Sequence, residues 1–460
     1  MPPYREDGLW GRRPFVSLGG LYALTGGMAN AQQSLARSTE TVFRNVRALD
    51  VVNGKLGAPS DVLVRGNRIA AIGSSVAAAP GATVVEGRER TLMPGLIDVH
   101  VHLVFGSLLI TQLYDPKLTD QQIAASAAKY SRQMLLQGFT AVRDVGGPIF
   151  PLKRAIDSGK IAGPRVWPSG AMISQTSGHG DFRTVEETSR RFFGKPSRAE
   201  TYAATFIADG KDEVRTAVRE NLRRGASQIK LMAGGGTSSV YDPIDVTQYS
   251  LEEMQAAVES AEDWNTYVTV HAYTPRAVRR AIEAGVKCVE HGQLLDEPTV
   301  ELMAQKGVWL SGQNLIESTP NMTPERREKR KPVIEGNARV WRMARKYGVK
   351  LGWGTDLLFE PEMSAEQNRL ILALREWFTP AEIVKLITYD NAQLLALSGP
   401  RSPYSGRLGV VEVDALADLL LVEGDPLANL ELLAEPGKNF AVVMKDGVIH
   451  KRTAGLVRAN

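Results

Sequence analysis

The sequence predicts an α/β protein, a (β/α)8 TIM barrel with a small discontinuous β-sandwich domain formed from both termini. Eight short apolar segments between residues 95 and 356 alternate with amphipathic helical stretches. This alternation is typical of a closed parallel barrel rather than an open sheet. Strand-like runs separated by glycine-rich turns lie on both sides of this middle part, and we expect them to pair with each other.

The strand-like runs and the alternating middle part also predict the domain boundaries. Residues 38–93 and 401–456 are predicted to form the two parts of the sandwich domain, and residues 94–400 the barrel. The expected barrel strands are 95–103, 139–145, 165–174, 227–233, 266–273, 286–291, 307–311 and 349–356. The expected helices between them include 119–137, 211–224, 250–263 and 275–284.

Length and composition exclude several classes of protein. A chain of 460 residues is long enough for a barrel of roughly 250 residues and a second domain. A net charge of +4 is too small to indicate a nucleic-acid partner, and no segment after residue 31 is long and apolar enough for a membrane span. The single cysteine, Cys288, excludes an internal disulfide and a cysteine-based zinc site.

Residues 1–31 have the order of a twin-arginine (Tat-like) signal peptide. Arg12 and Arg13 precede a mildly hydrophobic, glycine-rich segment that ends in Ala29-Asn30-Ala31. Paired arginines before a weak hydrophobic region are typical of that export route. We expect cleavage near Ala31 and a periplasmic or secreted protein, or a cytoplasmic one if the signal is not used. A disordered tail or a short anchor helix is the alternative.

Candidate functional residues lie where the reacting groups of such barrels lie, at the C-terminal ends of the strands. Four of the six histidines end apolar segments, and a lysine interrupts the apolar fourth segment. The i, i+2 spacing of the first histidine pair puts both imidazoles on one face of a strand. In strand order the candidate metal ligands are His100, His102, Lys230, His271, His291 and Asp356.

These residue types predict a catalytic metal site. Neutral imidazoles and carboxylates suit Zn²⁺ or a similar first-row ion. A protonated lysine is no ligand, but CO₂ would convert Lys230 to the carbamate N6-carboxylysine, an anionic bridge between two divalent ions. One ion would then bind His100, His102, the carbamate and Asp356, and the other the carbamate, His271 and His291. A metal-bridging hydroxide would attack a carbonyl carbon, and Asp356 would carry its proton to the leaving nitrogen.

This set resembles the amidohydrolase superfamily in its binuclear, carboxylated-lysine form. The segment 177–181 around His179, Lys230 followed by residues 233–236, and His271-Ala272-Tyr273 are similar to one branch. That branch contains Xaa-Pro and Xaa-Arg/Lys dipeptidases and ochratoxinase-like amide hydrolases. The resemblance implies hydrolysis of the amide bond between an acyl or aminoacyl group and a C-terminal L-amino acid with a free carboxylate. N-acyl amino acids, dipeptides and ochratoxin A are the implied substrates, and a homo-oligomer is implied as well.

Further residues are candidates for binding substrate. His179 would polarise the scissile carbonyl or bind the carboxylate; the alternative is a loop histidine in a turn. Tyr273 would reach the same pocket or pack at the barrel rim. Gly235 and Gly236 would offer backbone N–H groups to an anion or form a flexible turn. Insertions at 181–212 and 312–345 are expected to shape the pocket, and Arg143-Asp144 is interpreted as a structural ion pair.

Two other functions remain open at the level of sequence. An imidazolonepropionase-like cyclic-amide hydrolase would use one metal and lack the strand-four lysine, so Lys230 argues against it. A non-catalytic small-molecule-binding barrel belongs to another class of function, and the intact set of ligand residues argues against that one.

Overall fold

The computed structural model describes residues 40–459 except 116, 240 and 316–321. The predicted signal peptide, and residues 38 and 39 of the predicted sandwich, lie outside the described residues. The strands are β1 (Glu40–Asp50), β2 (Lys55–Arg65), β3 (Arg68–Gly73), β4 (Thr83–Glu86), β5 (Thr91–Pro94), β6 (Leu96–Val101), β7 (Phe139–Asp144), β8 (Arg165–Pro168), β9 (Met172–Ser174), β10 (Thr205–Ile207), β11 (Ile229–Met232), β12 (Val268–Ala272), β13 (Cys288–His291), β14 (Trp309–Gly312), β15 (Leu351–Trp353), β16 (Leu419–Val422), β17 (Phe440–Lys445), β18 (Val448–Arg452) and β19 (Val457–Ala459).

The α-helices are α1 (Ile110–Tyr114), α2 (Asp120–Leu136), α3 (Phe150–Asp157), α4 (Arg198–Thr201), α5 (Lys211–Arg223), α6 (Leu251–Glu262), α7 (Pro275–Ala284), α8 (Glu297–Lys306), α9 (Pro324–Tyr347), α10 (Pro380–Lys385), α11 (Asn391–Leu395), α12 (Glu431–Ala434) and α13 (Pro436–Asn439). The 3₁₀-helices span Phe105–Ser107, Arg190–Phe192, Met363–Glu376 and Ala396–Arg401, and a π-helical turn spans Leu386–Asp390. Within the described part of the chain, no helix is both long and apolar enough to cross a bilayer.

The barrel consists of parallel strands with helices between them. One sheet has the order β6-β7-β8, and a second has the order β10-β9-β11-β12-β13-β14-β15. All pairings within the two sheets are parallel. The predicted (β/α)8 barrel with its sandwich domain is therefore confirmed, because each expected strand segment overlaps an observed strand.

The third barrel strand is divided in two, where the sequence predicts one strand over 165–174. β8 pairs with β7, whereas β9 pairs with β11, so the two pieces belong to different sheets. Gly170 lies between them with a φ of 78°, a conformation that glycine adopts without the steric cost of a side chain. The break therefore lets one segment join both neighbours around the barrel.

Side chains and backbone together close the barrel between the first and eighth strands. The backbone N–H of Asp356 donates to the carbonyl of His100 at 2.9 Å. Asn391 donates from its amide to the carbonyls of Ile97 and Trp353, at 2.7 and 2.8 Å, and accepts from the N–H of Trp353 at 2.9 Å. This closure brings the last strand, and with it Asp356, beside the first pair of histidines.

The second domain is built from both ends of the described chain. Its sheet has the order β18-β17-β16-β5-β1-β2-β3, with β4 pairing with both β1 and β19. The C-terminal strand β16 lies antiparallel to the N-terminal strand β5. Arg165 of the barrel strand β8 forms a buried ion pair with Asp418, which directly precedes β16, at 2.8 Å. The sheet is thereby fixed against the side of the barrel.

Candidate active site

One cavity at the carboxyl ends of the barrel strands brings together all six predicted ligand residues. His100, Lys230, His271 and His291 lie within β6, β11, β12 and β13, and His102 and Asp356 follow β6 and β15. The lysine and the four histidines are at most 3% exposed, and the Asp356 side chain is 15% exposed. The cavity is lined by these six residues together with His179 and Tyr273.

The imidazole rings form a continuous series around Asp356. Ring centroids lie 5.5 Å apart for His100 and His102, 5.0 Å for His100 and His291, and 4.5 Å for His271 and His291. The Oδ1 atom of Asp356 lies 3.3 Å from His100 Nε2 and 3.6 Å from His102 Nε2. Its Oδ2 atom lies 3.9 Å from His291 Nδ1. Asp356 therefore faces three of the four imidazoles.

Hydrogen bonds fix which ring nitrogen faces the cavity in three of these histidines. His100 Nδ1 lies 2.8 Å from Glu290 Oε2, His102 Nδ1 lies 2.8 Å from the carbonyl of Gly146, and His271 Nε2 lies 3.0 Å from the carbonyl of Gly235. Each acceptor takes the N–H of its ring, so the opposite nitrogen keeps its lone pair. Such outer partners orient metal-binding histidines.

The protonation states suit a cation. Burial lowers the pKa of His102 to about 3 and holds the pKa values of His271 and His291 well below their ordinary range. Burial opposes ionisation of Asp356, yet the neighbouring imidazoles, His100 first, keep its pKa below its usual value. Burial also lowers the pKa of the Lys230 amine to about 8. At neutral pH the cavity thus offers three neutral imidazoles, those of His102, His271 and His291, and an ionised carboxylate. Burial and Lys230 oppose protonation of His100, but Asp356 and Glu290 raise its pKa.

The donor set fits a divalent metal ion. One ligand atom each from His100, His291 and Asp356 lie within 4.8 Å of one another. The Nδ1 atom of His291 is buried and has no hydrogen-bond partner in the described part of the chain. A buried polar atom without a partner is costly in a folded protein, and a metal ion would supply what this nitrogen lacks.

The strand ends carry unusual backbone conformations that direct these side chains. His291 and Asp356 have φ values of 81° and 49°, in the left-handed region that costs a non-glycine residue about 1 kcal/mol or more. Consecutive residues on a regular strand point to opposite faces. The left-handed turn at His291 instead lets both it and Glu290 lie near His100.

Glu290 is a functional residue that the sequence analysis missed. Its carboxylate is fully buried and accepts from His100 Nδ1, from Thr269 Oγ1 and from Arg143 Nη2, the last at 2.6 Å. Burial alone would raise its pKa, but Arg143 and His100 hold it well below the ordinary value. Arg143 therefore pairs with Glu290, which corrects the expected Arg143–Asp144 pair. The one signal in the sequence that could have identified Glu290 is the presence of a glutamate in an otherwise apolar strand.

We expect Glu290→Gln to weaken metal binding about 10- to 100-fold, because the amide would hold the His100 tautomer less firmly than the carboxylate does. Glutamine keeps the volume of the side chain but leaves the buried Arg143 without its counter-charge, so the Tm of each variant is measured as well. Competition with a chelator measures the affinity. Glu283→Gln, an exposed change on α7, is the control, and equal affinity in both variants would contradict the role of Glu290.

His179 is held beside the ligand set by a second acidic residue that the sequence analysis missed. Its ring stacks on His271 with centroids 4.0 Å apart. His179 Nδ1 lies 2.5 Å from Ser239 Oγ and 3.2 Å from Asp242 Oδ2. Asp242 is 1% exposed; burial would raise its pKa, but His179 lowers it below the ordinary value. Asp242 follows the glycine-rich run by a few residues, and nothing local marks it as a partner of His179.

The glycines predicted to bind substrate have contacts within the protein. The N–H of Gly235 donates to Val246 O at 3.4 Å, and that of Gly236 donates to Asp242 Oδ2 at 2.7 Å. A Cβ at Gly235 would lie 1.8 Å from Pro243 O, and one at Gly236 would lie 1.8 Å from His179 Cε1. Because glycine has no Cβ, the backbone at these two positions can lie close to Pro243 and His179. The predicted binding of an anion by the two amides stays a prediction.

Gly236→Ala should lower kcat/KM by about 100-fold, because the new methyl group must displace the His179 ring and an error of about 1 Å in position has that effect. Steady-state kinetics measures the change. Gly437→Ala provides the control, since a Cβ there meets nothing within 4 Å. Wild-type kinetics in the Gly236 variant would show that the position of the ring is unimportant.

Tyr273 and the two insertions complete the walls. Tyr273 is 2% exposed and packs between His271 and His291, with centroids 5.0 and 5.2 Å from theirs. Phe182, from the first insertion, is buried against Phe105 and Phe359 and lines the cavity. Most of the second insertion forms α9, and residues 316–321 within it lie outside the described residues.

Comparison with known proteins gives the family. The model of the amidohydrolase family matches residues 91–450. The chain belongs to the amidohydrolase family. This amidohydrolase is 33% identical to ochratoxinase of Aspergillus niger over 377 aligned residues. The aligned region covers 79% of this chain and 76% of that protein. It is therefore a hydrolase that acts on amide bonds.

Solved structures show the same fold. A prolidase complexed with N-methylphosphonate-L-proline matches with a TM-score of 0.82 and 35% identity, over 90% of this amidohydrolase and 100% of that chain. A Xaa-Pro dipeptidase with methionine bound in its active site matches with a TM-score of 0.76 and 27% identity, again over 90% and 100%. The predicted resemblance to dipeptidases and ochratoxinase is confirmed.

Proposed function

We propose that this amidohydrolase cleaves the amide bond between an acyl or aminoacyl group and a C-terminal L-amino acid. The observation that carries the proposal is that His100, His102, Lys230, His271, His291 and Asp356 line one and the same cavity. Its relatives support the substrate class, since they include a prolidase, a Xaa-Pro dipeptidase and an ochratoxinase. Dipeptides, N-acyl amino acids and ochratoxin A, an amide of phenylalanine, are the candidate substrates.

Two divalent ions, Zn²⁺ by the chemistry of the ligands, are part of this proposal. His100, His102 and Asp356 would hold one, and His271 and His291 the other. Lys230 would bridge them after reaction with CO₂, in which its nitrogen forms the new C–N bond and releases one proton. When bound, the ions supply an activated water and polarise the substrate carbonyl.

The chain's own residues perform the remaining tasks. The Asp356 carboxylate accepts a proton at Oδ1 or Oδ2 and delivers it to the leaving nitrogen. His179, whose Nδ1 is held by Ser239 and Asp242, lines the cavity. When both of its ring nitrogens carry a proton, it donates a hydrogen bond from the other nitrogen to the carbonyl oxygen. Phe182 lines the cavity and packs against the buried Phe105, and it excludes bulk water from the reacting groups.

A panel of N-acyl amino acids and dipeptides, varied at the C-terminal residue and scored for released amine, tests the function. We expect cleavage of free acids and little cleavage of the same compounds capped as C-terminal amides. Equal cleavage of capped and free compounds would remove the carboxypeptidase-like interpretation. If metal-replete protein cleaved no member of the panel, the non-catalytic binding barrel would replace the proposal.

A further inference from the structure

Two arginine side chains of α9 line the same cavity as the ligand set. Arg326 and Arg330 are four residues apart, so they lie on one face of the helix, and both contribute to the cavity wall. The Oγ1 atom of Thr323 accepts from the Arg326 N–H and caps the helix. The two guanidinium groups are thereby presented to the cavity from the first and second turns of a capped helix.

The protein itself leaves these guanidinium groups incompletely satisfied. The Nε atoms of Arg326 and Arg330 are buried and have no hydrogen-bond partner within the described ranges of the chain. Burial lowers the pKa of both guanidinium groups, while Glu360 raises it. Arginine nevertheless stays charged in proteins. A buried charged donor without an acceptor is unfavourable, and a bound anion would relieve this cost.

The neighbouring cation, Lys329, has hydrogen-bonding and charged partners within the protein. Lys329 lies between the two arginines in sequence, and its Nζ donates to the Ser239 carbonyl at 2.8 Å and lies 3.7 Å from Asp242 Oδ1. Lys329 thus binds the loop that positions His179. The Nη1 atom of Arg330 contacts Met322 Sδ at 4.0 Å, which is a weak acceptor. As far as the structure describes the chain, the Nε donors of Arg326 and Arg330 therefore remain available to a ligand.

The lining of the cavity places Arg330 with Asp356 and Tyr273. Burial has the largest influence on its pKa, followed by the opposing influences of Tyr273 and Asp356. Tyr273 packs against two of the candidate ligand histidines. An anion bound by Arg330 would therefore lie next to the ligand set, where the leaving half of a substrate must be held.

We propose that Arg326 and Arg330 form a carboxylate-binding subsite for the amino acid that leaves in the reaction. The inference rests on the proposed function and adds the residues that recognise the substrate's negative charge. Two guanidinium forks match the planar geometry of a carboxylate better than point charges do. The carboxylate is the substrate's α-carboxylate or that of an acidic side chain, since the chemistry is the same.

Kinetics of metal-replete Arg326→Gln, Arg330→Gln and the double variant tests the subsite. Four substrates distinguish the source of the charge: N-acetyl-L-phenylalanine, its C-terminal amide, N-acetyl-L-glutamate and N-acetyl-L-glutamine. We expect each substitution to lower kcat/KM about 10- to 100-fold for the substrate that carries the recognised carboxylate. The matched substrate in which an amide replaces that carboxylate should be nearly unaffected. Arg330→Lys should retain part of the preference. Arg327→Gln, exposed at the next position, should match wild type.

The pattern of losses decides the proposal. Loss of the preference for free acid over capped amide assigns the α-carboxylate, and a loss confined to the glutamate substrate assigns the side chain. Equal losses on all four substrates, unchanged kinetics, or a lowered Tm that explains the loss would overturn the subsite.

A measurement without turnover separates this inference from the proposed function. Calorimetric titration with L-phenylalanine and L-phenylalaninamide should show binding of the free acid that weakens about 10-fold or more in the double variant. Arginine-dependent binding without hydrolysis of any panel member would retain the subsite and refute the hydrolytic function. Hydrolysis with arginine-independent binding would retain the function and refute the subsite.

Discussion

Asp356→Asn should reduce kcat by about 1,000-fold or more, because the amide can neither accept the proton from the attacking water nor deliver it to the leaving nitrogen. Asp356 faces His100, His102 and His291 through its two carboxylate oxygens. Removal of its negative charge should also weaken the binding of a cation among these rings. Steady-state kinetics together with metal analysis by mass spectrometry measures both effects.

The choice of asparagine follows from the backbone. Asp356 has a φ of 49°, and asparagine tolerates the left-handed region better than alanine does. An alanine variant would combine loss of the carboxylate with backbone strain. Asp414→Asn is the matched control, because Asp414 is exposed and has a φ of 67°. Turnover of the Asp356 variant within tenfold of the control would refute the proton-transfer role.

Replacement of Lys230 should lower the metal content from two ions per chain towards one and nearly abolish turnover. Lys230 is 1% exposed and lines the cavity with the four histidines. Methionine keeps most of its volume without a charge, so Lys230→Met avoids the cavity that alanine would leave in the core. Metal analysis after dialysis, with the Tm of each variant, measures the effect apart from folding.

Two controls distinguish a carbamate from a plain lysine. A ¹³C NMR resonance from labelled bicarbonate should appear in the wild-type protein and be absent from Lys230→Met. In Lys230→Ala, the space left by the side chain should admit a short carboxylate such as acetate, which should restore part of the activity. A stoichiometry near one metal per chain, unchanged in Lys230→Ala, would refute the binuclear site and favour the cyclic-amide hydrolase with one metal.

The sequence by itself determined the barrel, the family and the positions of the candidate ligands. Strand and helix periodicities are local properties of the chain, so the eight segments could be located without tertiary information. The polar residues His100, Lys230, His271 and His291 stand out because they interrupt or end apolar strands. In a barrel all such ends meet at one face, and one cavity does contain them.

Only the tertiary structure decided which residues support these candidates. Glu290 holds His100 across 190 positions of sequence, and Asp242 holds His179 across 63. Arg143 pairs with Glu290 rather than with its neighbour Asp144. Such partners depend on how strands stack in space, and local periodicity carries no information about distant contacts.

The glycine run and α9 illustrate the same limit. The sequence leaves open whether the amides of Gly235 and Gly236 bind an anion or belong to a flexible turn. The structure adds that these amides donate to Val246 and Asp242. Arg326 and Arg330 belong to the charged segment 325–331, whose sequence is typical of a solvated helix face. Packing of α9 over the barrel mouth brings them to the cavity, because the direction of a helical side chain depends on where its helix docks.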